Sequence, residues 1–202
     1  VDATKVTAGD IEKITGSFSH LHVHTQFSIL QATPDVKSLV GKAAELEMKA
    51  LAMTDFGNLL GAIKFTNEAF SKGIKPIIGC EFFVAEERLK HQFTKDQPDR
   101  RFNQILYAKN ENGYKNLIKL ASLAFTEGLY AGFPRIDKAL IEKYKEDIIA
   151  TSGGLNGEIC NLILNFGEEK GEKAFHYWHH LFGDDFYVQL NRHGLPEEQR
   201  AN

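Results

Sequence analysis

The sequence predicts an α/β fold built on a parallel sheet, closed in the manner of a barrel. Three observations carry this expectation. Apolar runs of strand length alternate with amphipathic helical patterns along the chain. Neither GxGxxG nor GxxxxGK[ST] occurs, so the phosphate-cradling loops of open nucleotide-binding sheets are missing. Residues with metal-ligating chemistry fall at the C-terminal ends of the predicted strands, where barrels of this class carry their sites.

The elements follow in order. Ser19–Val23 reads as a strand. Val36–Glu47 has apolar or small residues at helical spacing, and Ala50–Thr54 (ALAMT) is a short buried strand. Leu60–Lys72 is a helix closed by Gly73, which leads into the strand Pro76–Val84. Glu86–Arg101 is polar and without period, a loop or excursion. Gln104–Ala108 is a strand and Gly113–Phe125 a helix. Ile136–Tyr144 is helical, Asp147–Thr151 a strand, Gly157–Leu164 and Glu168–Phe182 helices, and Phe186–Leu190 a last strand.

With 202 residues, 43% of them hydrophobic and 25% charged, the chain has the composition of an ordinary globular protein with one sizeable core. A net charge of −3 argues against a dedicated nucleic-acid surface, and the one compact basic stretch, KDQPDRRF, carries acids as well. Cys80 and Cys160 stand far apart and outside any CxxC, which fits a reducing, cytoplasmic location. No apolar run reaches the ~18–20 residues of a membrane span, and no signal peptide is visible. Residues 1–16 are polar and read as a linker or the edge of a fragment. The other end, GLPEEQRAN, reads as the start of a helix.

The chemistry concentrates in HLHVHTQFSILQATPD. On a strand His22 and His24 share a face, with His20 one step behind. Glu81 ends the third strand in Gly79-Cys80-Glu81. Two imidazoles and a carboxylate form a sound donor set for zinc, manganese or iron, although an H-x-H on a strand is by itself a weak signal. Asp55 suits a supporting hydrogen bond to a neighbouring loop or histidine. Other histidines have plainer readings. His176 and His180 stand at helical spacing without an acidic partner in the pattern and read as a solvated face, while His193 reads equally as a mouth residue or a loop hydrogen bond. Cys80 reads as a small core residue.

In order along the chain stand HVHTQFS, ALAMTDFGNLLGA, KPIIGCEFFV, ILYAKNENGYKNLIKLAS, IIATSGGLNGEI and FYVQLNRHG. This series resembles the PHP (polymerase and histidinol phosphatase) domain found at the N-terminal side of bacterial DNA polymerase III alpha subunits. The likeness runs over residues 17–202, and AKNENGYKNL and FYVQLNRHG resemble the polymerase branch. The resemblance implies a distorted TIM-like (β/α)7 barrel, with its last strand motif beyond Asn202.

The resemblance also implies a metal pattern, and this chain departs from it. His22, His24 and Glu81 match ligand positions. Gln31 stands where a further Asp or His is usual, Phe56 where T-D-H-G-N has its histidine, Asn103 where a strand begins with a ligand histidine, and Gly154 in place of the ligand of T-S-G-C or T-S-G-H. Phenylalanine has no donor atom, glycine has no side chain, and neutral amides are poor ligands. The multi-metal phosphoesterase centre is therefore expected to be degenerate. One divalent metal (zinc, manganese or iron) or none remains in prospect. By resemblance the parent protein is a DNA-directed DNA polymerase, whose own magnesium site lies outside this stretch. The expected partners are the other domains of that subunit and a proofreading exonuclease, with little direct DNA contact and no membrane. The rival reading is a free-standing PHP metal-dependent phosphoesterase.

Overall fold

The computed structural model describes residues 18–201. The linker expected over 1–16 lies outside the described residues. The described residues divide into two compact units, one holding 18–55 together with 60–78, the other 56–59 together with 79–201.

In the first unit, helix α1 (Val36–Glu45) opens on Asp35, whose carboxylate accepts from the amides of Lys37 at 3.0 Å and Ser38 at 3.1 Å. It stops two residues short of the predicted end. Glu47 takes φ 55°, and the amides of Glu47 and Met48 turn back onto Ala44 and Ala43, each at 3.0 Å. This is a Schellman closure with a non-glycine residue in the left-handed position. Strand β1 (Ala50–Met53) follows, then helix α2 (Ala62–Ser71), closed as predicted by Gly73 at φ 70°. Strand β2 (Lys75–Ala85) pairs in parallel with β1 through its first residues, from Ala50 opposite Lys75 to Met53 opposite Ile78. Val36, Val40, Leu51, Met53, Phe65 and Ala69 are buried.

Ser19–Val23 is not a strand. Ala52 N donates to His20 O at 2.9 Å and Thr54 N to Val23 O at 2.8 Å, so the step from 52 to 54 is matched by the step from 20 to 23. The extra residue interrupts the ladder as a bulge does. The Val23 amide goes instead to Thr54 Oγ1 at 2.9 Å.

The second unit contains the rest of β2, β3 (Arg101–Ala108), helix α3 (Glu111–Thr126), β4 (Leu129–Tyr130), β5 (Phe133–Ile136), helix α4 (Lys138–Tyr144), β6 (Ile148–Thr151), helices α5 (Glu158–Phe166) and α6 (Glu168–Phe182), β7 (Phe186–Tyr187) and helix α7 (Pro196–Ala201). The strand order is β4-β5-β2-β3-β6-β7. The sheet is mixed, which corrects the expectation of a parallel one: β2 with β3, β3 with β6 and β4 with β5 run antiparallel. Among the described residues no pairing joins β4 to β7, so closure into a barrel is not observed. The physical reason lies in residues 86–100. This excursion has no amphipathic helix to cover a crossover, and a return without one is antiparallel.

β4 and β5 form a hairpin absent from the sequence reading. Ala131 at φ 50° and Gly132 at φ 84° make its two-residue turn, the positive-φ geometry that suits the twist of paired strands. Phe186–Leu190 shortens to Phe186–Tyr187.

Alternation along the strands assigns the two faces of this sheet. Cys80, Phe82, Val84, Leu106, Ile148 and Ala150 pack with Leu117, Leu120, Ile141 and Trp178 of the helices. The other face takes Glu81, Phe83, Asn103, Ile105, Tyr107 and Thr151. Arg135, fully buried, fastens the excursion: it pairs with Asp99 at 3.0 Å and donates to the carbonyls of Arg88 at 2.8 Å and Lys90 at 2.9 Å. Within KDQPDRRF, Arg101 pairs with Asp99 at 3.5 Å, while Lys95 and Arg100 are exposed. Arg101 lies 3.6 Å over the Phe133 ring.

Candidate metal centre

In the first unit the structure brings His22 and His24 together and leaves His20 aside. Both of the former are half-buried, with ring centroids 5.0 Å apart at 87°. His20 is exposed and lies edge-on to Phe18 at 4.9 Å. The bulge between 20 and 23 is the reason, because it shifts the alternation that a regular strand would have kept.

The backbone on either side of His24 is pinned by the dipeptide that ends β1. Thr54 Oγ1 accepts from Val23 N and donates to Val23 O at 3.1 Å. The Asp55 carboxylate, fully buried, accepts from Thr25 N at 2.6 Å, Thr25 Oγ1 at 2.7 Å and Ser28 Oγ at 2.6 Å. A buried carboxylate is tolerated only when its oxygens are matched by donors, and here those donors come from the turn that follows the second histidine. Asp55 therefore holds the turn through these three hydrogen bonds. Gln31 is exposed in the same turn, its backbone N–H donating to Ser28 O at 2.9 Å.

In the second unit Glu81 is 2% exposed and its Oε1 accepts from Asn103 Nδ2 at 2.5 Å. Asn103 stands opposite Phe83 and Glu81 opposite Ile105, so the two are diagonal neighbours on one face of the sheet. Phe56 bridges to Glu81 through the backbone, and Gly57 N donates to Glu81 O at 2.8 Å. The Phe56 ring stacks on Phe83 at 5.6 Å and 8°, and Phe83 meets Phe133 edge-on at 5.2 Å. With Arg101 over Phe133 this makes an aromatic column, and Phe56 is its end. Gly154 is buried at φ 62°.

Tyr107 is a site-face residue that the sequence reading passed over. Burial pushes its hydroxyl well above the usual tyrosine range, and the negative charge of Glu81 adds to this. Its signal was the alternation of β3, visible once Asn103 was placed. The other histidines have local roles. His176 is exposed, 3.7 Å from Glu172, and His180 is exposed on the same helix. His193 Nδ1 meets the buried Glu198 carboxylate at 2.5 Å.

A family model described as the PHP domain matches residues 20–193. The chain belongs to the PHP domain family. Proteins described as DNA polymerase III subunit alpha are similar to this PHP chain. The one from Borreliella burgdorferi is 44% identical over 188 residues, 92% of this chain and 16% of its own length. That from Helicobacter pylori is 40% identical over 195 residues (91% and 16%), and that from Thermus aquaticus 41% over 188 (92% and 15%). The chain thus spans about a sixth of these relatives. A solved structure from Bifidobacterium adolescentis, itself proposed to be a metal-dependent phosphoesterase, shares the PHP-like fold at TM-score 0.53 and 14% identity, over 90% of this chain and 80% of its own. Among the described residues no helix is long and apolar enough to cross a membrane.

The donor chemistry can be tested against the group this family implies. Among the described residues, His22 and His24 in the first unit and Glu81 in the second each carry a ligand atom of the kind a divalent cation takes. Two imidazoles and a carboxylate suit a single divalent cation completed by water. A multi-metal cluster does not fit. Phe56 is stacked, Gly154 has no side chain, and the Asn103 amide is given to Glu81.

Proposed function

We propose that this chain is the PHP region, residues 17–202, of a replicative DNA polymerase III alpha subunit, with a degenerate centre that serves structure and subunit docking and not phosphoester hydrolysis. The observation that carries this reading is the use made of the lost ligand positions. Phe56 belongs to an aromatic column and Asn103 is bonded to Glu81, so these residues are committed to packing and hydrogen bonding. The length and names of the relatives support the assignment to the polymerase. Its nucleotidyl transfer and magnesium site belong to the remainder of the subunit. The finer architecture in this proposal is the (β/α)7 barrel of the PHP type.

In this reading His22, His24 and Glu81 hold one divalent cation, zinc, manganese or iron. When bound, the ion would supply a fixed positive charge to its ligands. Asp55 and Thr54 orient His24 through its flanking backbone. Hydrolysis of a phosphoester asks more, namely activation of a water and stabilisation of the leaving oxygen, which in multi-metal centres falls to neighbouring ions. The partners are the other domains of the alpha subunit and a proofreading exonuclease, and DNA is met through the parent protein.

Metal content of chain purified without chelator, measured with hydrolysis of p-nitrophenyl phosphate under added manganese, tests the reading. At most one ion per chain and no turnover are expected. Turnover abolished by His22→Ala would overturn the reading in favour of a free-standing phosphoesterase.

A further inference from the structure

We infer that residues 86–100 form a strap that opens as one unit, hinged at Arg88 and latched by the Asp99–Arg135 pair. The segment joins β2 to β3, and its ends are close because Ala85 stands opposite Arg101. A hairpin needs only about 2–5 residues there, and longer loops with close ends commonly serve as lids or binding loops. Every residue from 86 to 100 is exposed or half-buried. The segment lines a hollow of about 510 Å³, with Glu86, Lys90, Phe93, Asp96 and Asp99 around it. Apolar burial therefore holds the strap weakly, and polar contacts set its position.

Inside the strap Thr94 N donates to Gln97 O, Gln97 N to Thr94 Oγ1 and Lys90 Nζ to Gln97 Oε1, each at 3.2 Å, so the middle is one piece. At the near end Arg88 is tied to the body of the unit. Its Nη1 donates to Asp137 at 2.9 Å and its Nη2 to Glu127 at 2.8 Å. At the far end Asp99 Oδ1 accepts from Arg135 Nη1 at 3.0 Å, and Arg101 Nε lies 3.5 Å from the other oxygen. Arg135 Nη2 reaches the carbonyls of Arg88 and Lys90, while His91 and Phe93 lie against the Tyr130 ring. Arg135 is fully buried, and a buried cation is stable only opposite a partner. Without Asp99 its guanidinium regains water with least disruption when the strap lifts, which leaves β5 in place. Opening uncovers Arg135 and Tyr130 and exposes the hollow.

Amide hydrogen exchange of the full chain, resolved residue by residue by NMR, tests this in wild type, Asp99→Ala, Asp99→Asn and Arg88→Ala. The reporters are the amides of Lys90, Thr94 and Gln97, each bonded within the strap. In wild type the three are expected to share one protection factor. In Asp99→Ala all three should exchange faster by a common factor of about ten or more, with β3 and α3 at wild-type rates. In Arg88→Ala the Lys90 amide alone should accelerate. Unchanged rates in Asp99→Ala, or different factors at Thr94 and Gln97, overturn the inference. Acceleration that spreads through β3 and α3 also overturns it, because the pair then supports the body and not the strap. Equal acceleration of all three amides in Arg88→Ala overturns the hinge. If circular dichroism shows Asp99→Ala unfolded, Asp99→Asn decides. A common acceleration of about threefold or more sustains the strap, and wild-type rates or unfolding overturn it.

Discussion

Asn191 lays its side chain against Gly154 so closely that a Cβ on the glycine would lie 2.9 Å from Nδ2 and 3.2 Å from Oδ1. The space that a ligand side chain at 154 would leave by is taken, and Asn191 is itself bonded to Gln189 Nε2 at 3.0 Å.

Gly154→His is therefore expected to destabilise the chain without rebuilding a metal ligand. The left-handed φ of 62° and the contact with Asn191 together cost about 2 kcal/mol or more. Adding Asn191→Gly recovers the contact part and not the strain. Urea midpoints of the single and double variants check the order. Equal stability of Gly154→His and wild type would show that the two residues separate freely.

Asp55→Ala removes one acceptor from Thr25 N, Thr25 Oγ1 and Ser28 Oγ together. Each buried donor left unmatched costs about 1–3 kcal/mol, so a loss of about 3 kcal/mol is expected. The His24 imidazole resonance should also broaden or shift as its flanking turn loosens. A chain that keeps both its stability and its histidine spectrum would mean that the turn holds itself.

Ala131 sits exposed at φ 50° in the β4–β5 turn, where a Cβ is disfavoured. Ala131→Gly or Ala131→Asn should stabilise by about 1 kcal/mol. Thermal unfolding reads this directly, and a lower melting temperature in both variants would contradict it.

The last helix should detach in acid. Burial works to raise the Glu198 pKa, but hydrogen bonds from the His193 ring and from the amides of Leu195 and His193 outweigh it and hold the group below its ordinary 4.5. A depressed carboxylate stabilises above the unfolded value and loses that contribution as pH falls through the folded one. Amide exchange at His193 and Leu195 should accelerate below pH 4.5 in wild type. In Glu198→Gln it should be fast already at neutral pH. Exchange in wild type that does not depend on pH over this range, beyond the intrinsic chemistry, would rule the carboxylate out as the fastener.

Much of the fold was legible where local chemistry is decisive. The helical spacing from Val36, the Gly73 closure and the apolar run Pro76–Val84 name their elements without help from elsewhere. The failures share a cause. Apolar period is the same for parallel and antiparallel strands, so the reversal of β3 against β2 could not be read. The bulge that separates His20 from His22 and His24 depends on Thr54, far along the chain, taking the Val23 amide. The β4–β5 hairpin was hidden because its turn uses alanine where Asn or Gly is the usual signal.

The sequence by itself determined most of the helices and the strands after Ala50, and the lack of side-chain donors at Phe56 and Gly154, which offer no ligand in any fold. Tertiary structure alone decided strand direction, the seating of Asn103 on Glu81 and of Asn191 on Gly154, and the separation of His20 from its neighbours. The physical reason is that donor chemistry belongs to a residue, whereas pairing direction and contacts between distant residues depend on the packing free energy of the whole chain, which no local pattern encodes.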